Sequence, residues 1–272
     1  RRKEYAFLQD TGIRFQLTIY DKPVWVGAKY LPHEVFGTVP MFFLTTDLEE
    51  NDPDDRQITQ RLYDNDPYRR IAQYTVLGAG GARLLEELNV DPEVWHLNEA
   101  HALSAAFRVL EKHKGDAEEV RKRFVFTTHT PEEAGNEKHE FDVLMRSSFF
   151  GGLSEKQVRK ATGITGEIFD HSLAALRLSH IANGVSKLHG EVSRKMWNHH
   201  KDICPIHHIT NAQNGRYWKD RGLERARSTS DVEFLRERKR ELKDHLFRVV
   251  ADQTGKMFHP DILTVVWARR CR

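Results

Sequence analysis

The chain has 272 residues, 39% hydrophobic and 30% charged, ordinary for a soluble globular protein and enough for one large domain or parts of two. Lys and Arg number 42 against 40 Asp and Glu, and the net charge of +2 gives no reason to expect a nucleic acid or an anionic membrane as partner. No apolar run approaches the roughly 20 residues that span a bilayer, Arg1-Arg2-Lys3-Glu4-Tyr5 opens no secretory signal, and with only Cys204 and Cys271, far apart, a reducing cytoplasm is the expected compartment.

The first fifty residues read as β. Residues 15–20 alternate apolar and polar, Asp21-Lys22-Pro23 makes a turn, and Val24-Trp25-Val26 starts the return strand. A third strand over 39–44 ends in an acidic loop, 47–55, which lacks the glycine and regular ligand spacing of a metal loop. From 67 to 88 the apolar spacing is helical, through Ile71, Tyr74, Leu77, Leu84, Leu85 and Leu88. Residues 94–97 predict a strand, 100–114 a helix and 124–127 a strand, with further helices over 154–161 and 173–197. Residues 204–210 predict a short strand, and 221–230 is the loosest stretch. Ser230-Asp231-Val232-Glu233 reads as a capping box opening a charged helix to about 251. Residues 262–267 predict a closing buried strand. Strands alternating with helices imply an α/β layered fold with a mostly parallel sheet. The missing initiator Met and the stop directly after a strand-like run read as a fragment cut at both ends.

Gly78-Ala79-Gly80-Gly81 has the composition of a phosphate loop, but a dinucleotide loop follows a strand, and this one sits inside helical periodicity. Small residues that let a helix approach a neighbour are the favoured reading. In His96-Leu97-Asn98-Glu99-Ala100-His101 the two histidines are five apart, unlike a zincin. The segment is a strand end feeding a helix start, the place where open α/β sheets bind ligands, so Asn98, Glu99 and His101 are candidates for sugar hydroxyls or for capping. Thr127-Thr128-His129-Thr130-Pro131 repeats the arrangement. Two such ends give a polar rim with few fixed charges, suited to a neutral sugar. Residues 183–191 read as part of an apolar-faced helix with His189 and Glu191 as surface groups. The pairs His199-His200 and His207-His208 invite a metal reading that lacks any ligand spacing. Arg269-Arg270 is the phosphate candidate, against a salt-bridged surface pair. The five tryptophans lie among apolar runs and read as buried, against a non-catalytic glucan-binding module with exposed aromatics.

Several of these segments, in order, resemble the α-glucan (glycogen, starch or maltodextrin) phosphorylases, especially their short bacterial form. They are Leu62-Tyr63 with residues 69–73 and 76–81, residues 96–101, and residues 127–131 with Ala134-Gly135. Residues 183–191, Ile209-Thr210-Asn211, and residues 260–264 leading to Ala268-Arg269-Arg270 follow. The resemblance implies a two-lobed glycosyltransferase B fold, with residues 1–205 ending the amino-terminal lobe and 206–272 starting the carboxyl-terminal one. It also implies reversible phosphorolysis of α-1,4-glucan ends to glucose 1-phosphate with retention, in a pyridoxal 5'-phosphate enzyme whose cofactor phosphate exchanges a proton with substrate phosphate. By this resemblance His129 lines the glucose subsite, Asn211 contacts the 6-hydroxyl and Arg270 holds phosphate, while Asn98, Glu99, His101 and Thr128 wall the substrate pocket. The implied partners are α-1,4-glucan or maltodextrin and inorganic phosphate or glucose 1-phosphate, and a homo-oligomer is compatible with it. The cofactor lysine is expected outside the chain, which would leave the fragment inactive. A nucleotide-sugar transferase of the same fold is the rival. The chain departs from the family at Ala212-Gln213-Asn214 and at Asn136-Glu137-Lys138-His139.

Overall fold

Alternating side chains build the first sheet: Phe15 and Ile19 point inward between exposed Gln16 and Thr18 in β1 (Gln9–Ile19). Tyr20 and Asp21 take φ of 51° and 60°, the twist-matched two-residue turn of a hairpin, and lead into β2 (Lys22–Leu31). After the single turn of α1 (His33–Phe36), β3 (Met41–Thr45) pairs antiparallel with β2. The computed structural model describes residues 5–62 and 64–267, apart from the Arg216 side chain. The acidic loop is tied inward by Asn51, whose amide donates to the carbonyls of Trp25 and Thr46 and accepts from Trp25 N–H.

Asp66 caps α2 (Pro67–Thr75), accepting from the N–H groups of Tyr68 and Arg69, with proline at the first helical position. A π-helical turn (Val76–Gly80) joins it to α3 (Gly81–Glu87). The Ser104 hydroxyl is spliced into that turn, donating to Tyr74 O and accepting from Ala79 N–H, both across 2.9 Å. A Cβ on Gly78 would collide with Ser104 Oγ and stand 2.5 Å from the Ala102 carbonyl oxygen. Gly78 serves this close approach, as its helical setting predicts, whereas a Cβ on Gly81 would meet nothing within 4 Å. The hairpin sheet and these helices enclose one core of Phe15, Ile19, Val24, Val26, Ile58, Ala72, Val76 and Leu84.

The second sheet is parallel and positions the site. Its strands are β4 (Trp95–Asn98) and β5 (Phe124–Thr128), joined through α4 (Ser104–Lys112) and α5 (Ala117–Arg123). The chain then forms β6 (Lys138–Glu140), α6 (Phe141–Arg146), α7 (Glu155–Thr162), β7 (Ile168–Asp170) and α8 (His171–Arg177), with β6 and β7 in a small antiparallel ladder. It returns to the sheet as β8 (Ile181–Gly184), crosses through α9 (Lys187–Trp197), and enters β9 (Ile206–His208). The order is β4-β5-β8-β9, all parallel. Phe107, Phe124, Phe126, Phe141, Phe149, Phe150 and Phe169 fill the core around it, with edge-to-face contacts such as Phe107–Phe150 at 4.8 Å.

The described chain forms two compact units, divided between Ala212 and Gln213, and β9 belongs to the first through its pairing with β8. The second unit holds α10 (Gly215–Trp218), α11 (Arg221–Thr229) and α12 (Val232–Thr254). Asp220 caps α11 and takes a two-pronged contact from Arg238 at 3.0 and 2.7 Å, which holds its carboxyl at about 2.

The structure corrects five expectations. The stretch 173–197 is interrupted by β8, so Asn183 and Gly184 lie on a strand. Residues 221–229 are helix, not the loosest stretch. Asp231 caps α12, while Ser230 is the left-handed stop of α11. Residues 262–267 form no strand, and Leu263, Val265 and Val266 are exposed. Trp218 and Trp267 are exposed where burial was expected, and Trp197 is buried. No helix among the described residues is long and apolar enough to cross a membrane.

Candidate functional site

The carboxyl ends of β4, β5, β8 and β9 form one edge of the parallel sheet, the position where such sheets bind ligands. At the end of β4, Leu97 turns into the core and Asn98 is exposed. Glu99 follows with φ 62° and ψ 171°, a conformation adopted almost solely by glycine. Hydrogen bonds impose it. Glu99 N–H donates to Thr127 O across 2.9 Å, and its carboxylate accepts from His129 N–H and, across 3.1 Å, from the Thr130 hydroxyl. The imidazole of His129 returns the contact, its Nε2 donating to Asn98 Oδ1 across 2.7 Å. Thr128 is buried below and accepts from Thr130 N–H. Asn98, Glu99, Thr128 and His129 are therefore brought together, with Asn98 and His129 exposed at the top.

A polar thread crosses the sheet beneath them. His96 Nε2 donates to Thr127 Oγ1 across 2.7 Å, and that hydroxyl donates to Asn183 Oδ1 across 2.8 Å. The next strand carries Asn211 to the same edge. Ile209 N–H donates to Gly184 O, and Asn211 N–H to Val185 O across 3.0 Å, leaving Asn211 exposed two strands from His129. Gly184 and Gly190 permit this: a Cβ on Gly184 would stand 2.8 Å from Gly190 N, and one on Gly190 2.8 Å from His208 Cβ.

His101 lies half-buried and stacks on Tyr74 at 4.9 Å, and burial holds its pKa below the ordinary value. Tyr74 in turn donates to Glu137 across 3.0 Å, and Arg70 bonds both Tyr74 and Glu137. Behind this cluster His139 Nδ1 meets His171 Nε2 at 2.9 Å, with His171 wholly buried and its pKa well below the ordinary value for that reason. Sequence reasoning missed Glu137 as an anchor; its only signal was the departure at residues 136–139. It also placed His189 on the surface, whereas the ring is buried. Arg270 lies outside the described residues. Among the described residues no group of three or more His, Cys, Asp or Glu is arranged to hold a metal ion.

Chemically, the edge offers the amides of Asn98 and Asn211, the imidazole of His129 and backbone groups, with the Glu99 carboxylate already engaged. That set can hydrogen-bond several hydroxyls of a neutral ligand without fixing a charge.

No family model matches the chain. It is 45% identical over 99% of its length to an uncharacterized protein of Methanocaldococcus jannaschii, spanning 51% of that protein. It is 36% identical over 67% of its length to the maltodextrin phosphorylase of Thermococcus litoralis, and 34% identical over 82% to the glycogen phosphorylase of Aquifex aeolicus. It spans 24% and 35% of those two enzymes, so the chain covers about half or less of the length of each of these relatives. Among solved structures it matches the catalytic domain of starch synthase IV from Arabidopsis thaliana bound to ADP and acarbose, with a TM-score of 0.56 at 15% identity, over 79% of this chain and 43% of that one. The chain is thus similar in sequence to parts of glucan phosphorylases, and it shares the α/β fold of a glycosyltransferase B catalytic domain.

Proposed function

We propose that this chain supplies the sugar-binding edge of an α-1,4-glucan phosphorylase, a cytoplasmic enzyme that releases α-glucose 1-phosphate from glucan ends by reversible phosphorolysis with retention. The observation that carries the proposal is the Asn98–His129 hydrogen bond, held by Glu99 in its glycine-like conformation at a parallel-sheet edge. Residues 1–205 then belong to the amino-terminal lobe of the parent protein and the remainder to the other. Sequence favours phosphorolysis over a nucleotide-sugar reaction, since the relatives at 34–36% identity are named phosphorylases and the starch synthase match is one of fold.

In this reading Asn98, His129 and Asn211 orient the terminal glucose through its hydroxyls, and Arg270 steadies the phosphate. Cleavage develops positive charge on the sugar beside the phosphate anion. Preorganised dipoles and a guanidinium stabilise that pair by about 3 kcal/mol per essential contact, and holding both reactants supplies the proximity term. Pyridoxal phosphate would supply proton exchange with the substrate phosphate. No lysine is buried among the described residues, so they do not fit a Schiff-base site for it.

Calorimetry tests the proposal. Maltotetraose is expected to bind the chain in preference to cellotetraose, and the chain with maltodextrin and phosphate is expected to release no glucose 1-phosphate. Equal binding of the two sugars, or ADP binding tighter than either, would favour the nucleotide-sugar reading.

A further inference from the structure

Between β8 and α9 the chain turns within two residues, and Val185 occupies the turn. Val185 N–H donates to His189 Nδ1 across 3.1 Å, while Val185 C=O accepts Asn211 N–H across 3.0 Å. One residue, through the two peptide groups that flank its Cα, thus links the imidazole on α9 to the backbone that presents Asn211. His189 N–H also donates to the Ser186 hydroxyl across 3.1 Å, so the first turn of α9 is closed around the same ring.

The donor fixes the tautomer. Nδ1 accepts from Val185 N–H, so it is bare and the ring proton sits on Nε2. That Nε2 is buried with no hydrogen-bond partner among the described residues, in a residue only 8% exposed. A buried donor without a partner is unfavourable and uncommon, and an apolar residue would avoid it. The hydrogen bond the ring does make is the one its Nδ1 accepts from Val185 N–H. Gly190, next along, has its own space filled by His207 O and His208 Cβ, which seats α9 close enough for the ring to reach back to Val185.

We propose that His189 is a positioning residue of the sugar edge: its bare Nδ1 fixes the backbone of Val185, and through the next peptide's carbonyl the Asn211 backbone, at the carboxyl ends of β8 and β9. It touches no ligand itself. The ligand named in the test rests on the glucan reading above, whereas the hydrogen bonds do not.

The experiment compares the protein with His189→Leu, which removes the acceptor, and His189→Asn, whose Oδ1 can stand in for Nδ1. Nitrogen-15 spectra of the imidazole, hydrogen exchange at the Val185 amide and maltotetraose affinity are read in parallel. Expected are a ring proton on Nε2, Val185 exchange and sugar dissociation constant each raised about tenfold in the Leu variant, and both restored to within about threefold by Asn. A ring proton on Nδ1, or a Leu variant with unchanged affinity, overturns the positioning role. Should the Leu variant fail to fold, the Asn variant decides alone: retained affinity supports the role and lost affinity overturns it. If the unsubstituted protein binds no maltotetraose while Val185 exchange still follows the acceptor, the glucan reading fails and the pocket role falls with it.

Discussion

Glu99 concentrates the local chemistry of the sheet edge, because its backbone and side chain pull in different directions. Its φ of 62° with ψ 171° suits glycine, yet its carboxylate is needed by His129 N–H and Thr130. Glu99→Ala keeps the strain and removes both bonds, and is expected to cost about 2 kcal/mol in urea unfolding. Glu99→Gly removes the same bonds but relieves the backbone, and should be about 1 kcal/mol more stable than the Ala variant. An Ala variant more stable than the Gly variant would show that the conformation carries no strain. Asn98, Glu99, Thr128 and His129 were legible as a group in the sequence because each polar cluster directly follows an apolar β run. Glu137 and His189 were not, since each works through partners that only the folded chain brings near: Arg70 and Tyr74 for one, Val185 for the other.

Among the elements, β8 shows where periodicity stops informing. Ile181-Ala182-Asn183-Gly184 is four residues long, poor in β-branched side chains, and flanked by α8 and α9, so the helical pattern runs straight through it. Its strand state comes from neighbours on both sides, β5 and β9, and from Asn183 accepting the Thr127 hydroxyl. Residues 262–267 are the converse: an apolar run that predicts a strand but has no ladder among the described residues. The glycines separate the same way. Gly190→Ala would set a Cβ 2.8 Å from His208 Cβ and 3.0 Å from His207 O, and should destabilise by about 1–3 kcal/mol by prying α9 from β9. Gly81→Ala meets nothing within 4 Å in a helical conformation and should stabilise by about 0.5–1 kcal/mol. Thermal unfolding of both variants checks the contrast, and equal shifts would contradict the packing described.

At the scale of the whole molecule, burial lowers the pKa of His101, His139, His171 and His200. Each binds its proton more weakly folded than unfolded, so the unfolded state takes up protons first as pH falls. Their combined contribution is therefore present above the unfolded value of 6.5 and is lost progressively below it. Urea unfolding at pH 7.5 and 5.5 should show a marked loss of stability at the lower pH, smaller in His171→Phe, which removes the most buried of the four. Stability independent of pH across that window would contradict the buried cluster. The α/β class and the parallel sheet were readable from element order alone, whereas the place of β8 between β5 and β9 was not, because its four residues read as helix.

Nuclear magnetic resonance titration with maltotetraose, following the amides of Asn98, Glu99, His129 and Asn211, tests most directly whether this edge holds a hexose. Saturable shifts at all four, weakened about tenfold in His129→Ala, are predicted. Shifts confined to other faces of the protein, or a His129→Ala titration matching that of the unsubstituted chain, would contradict it.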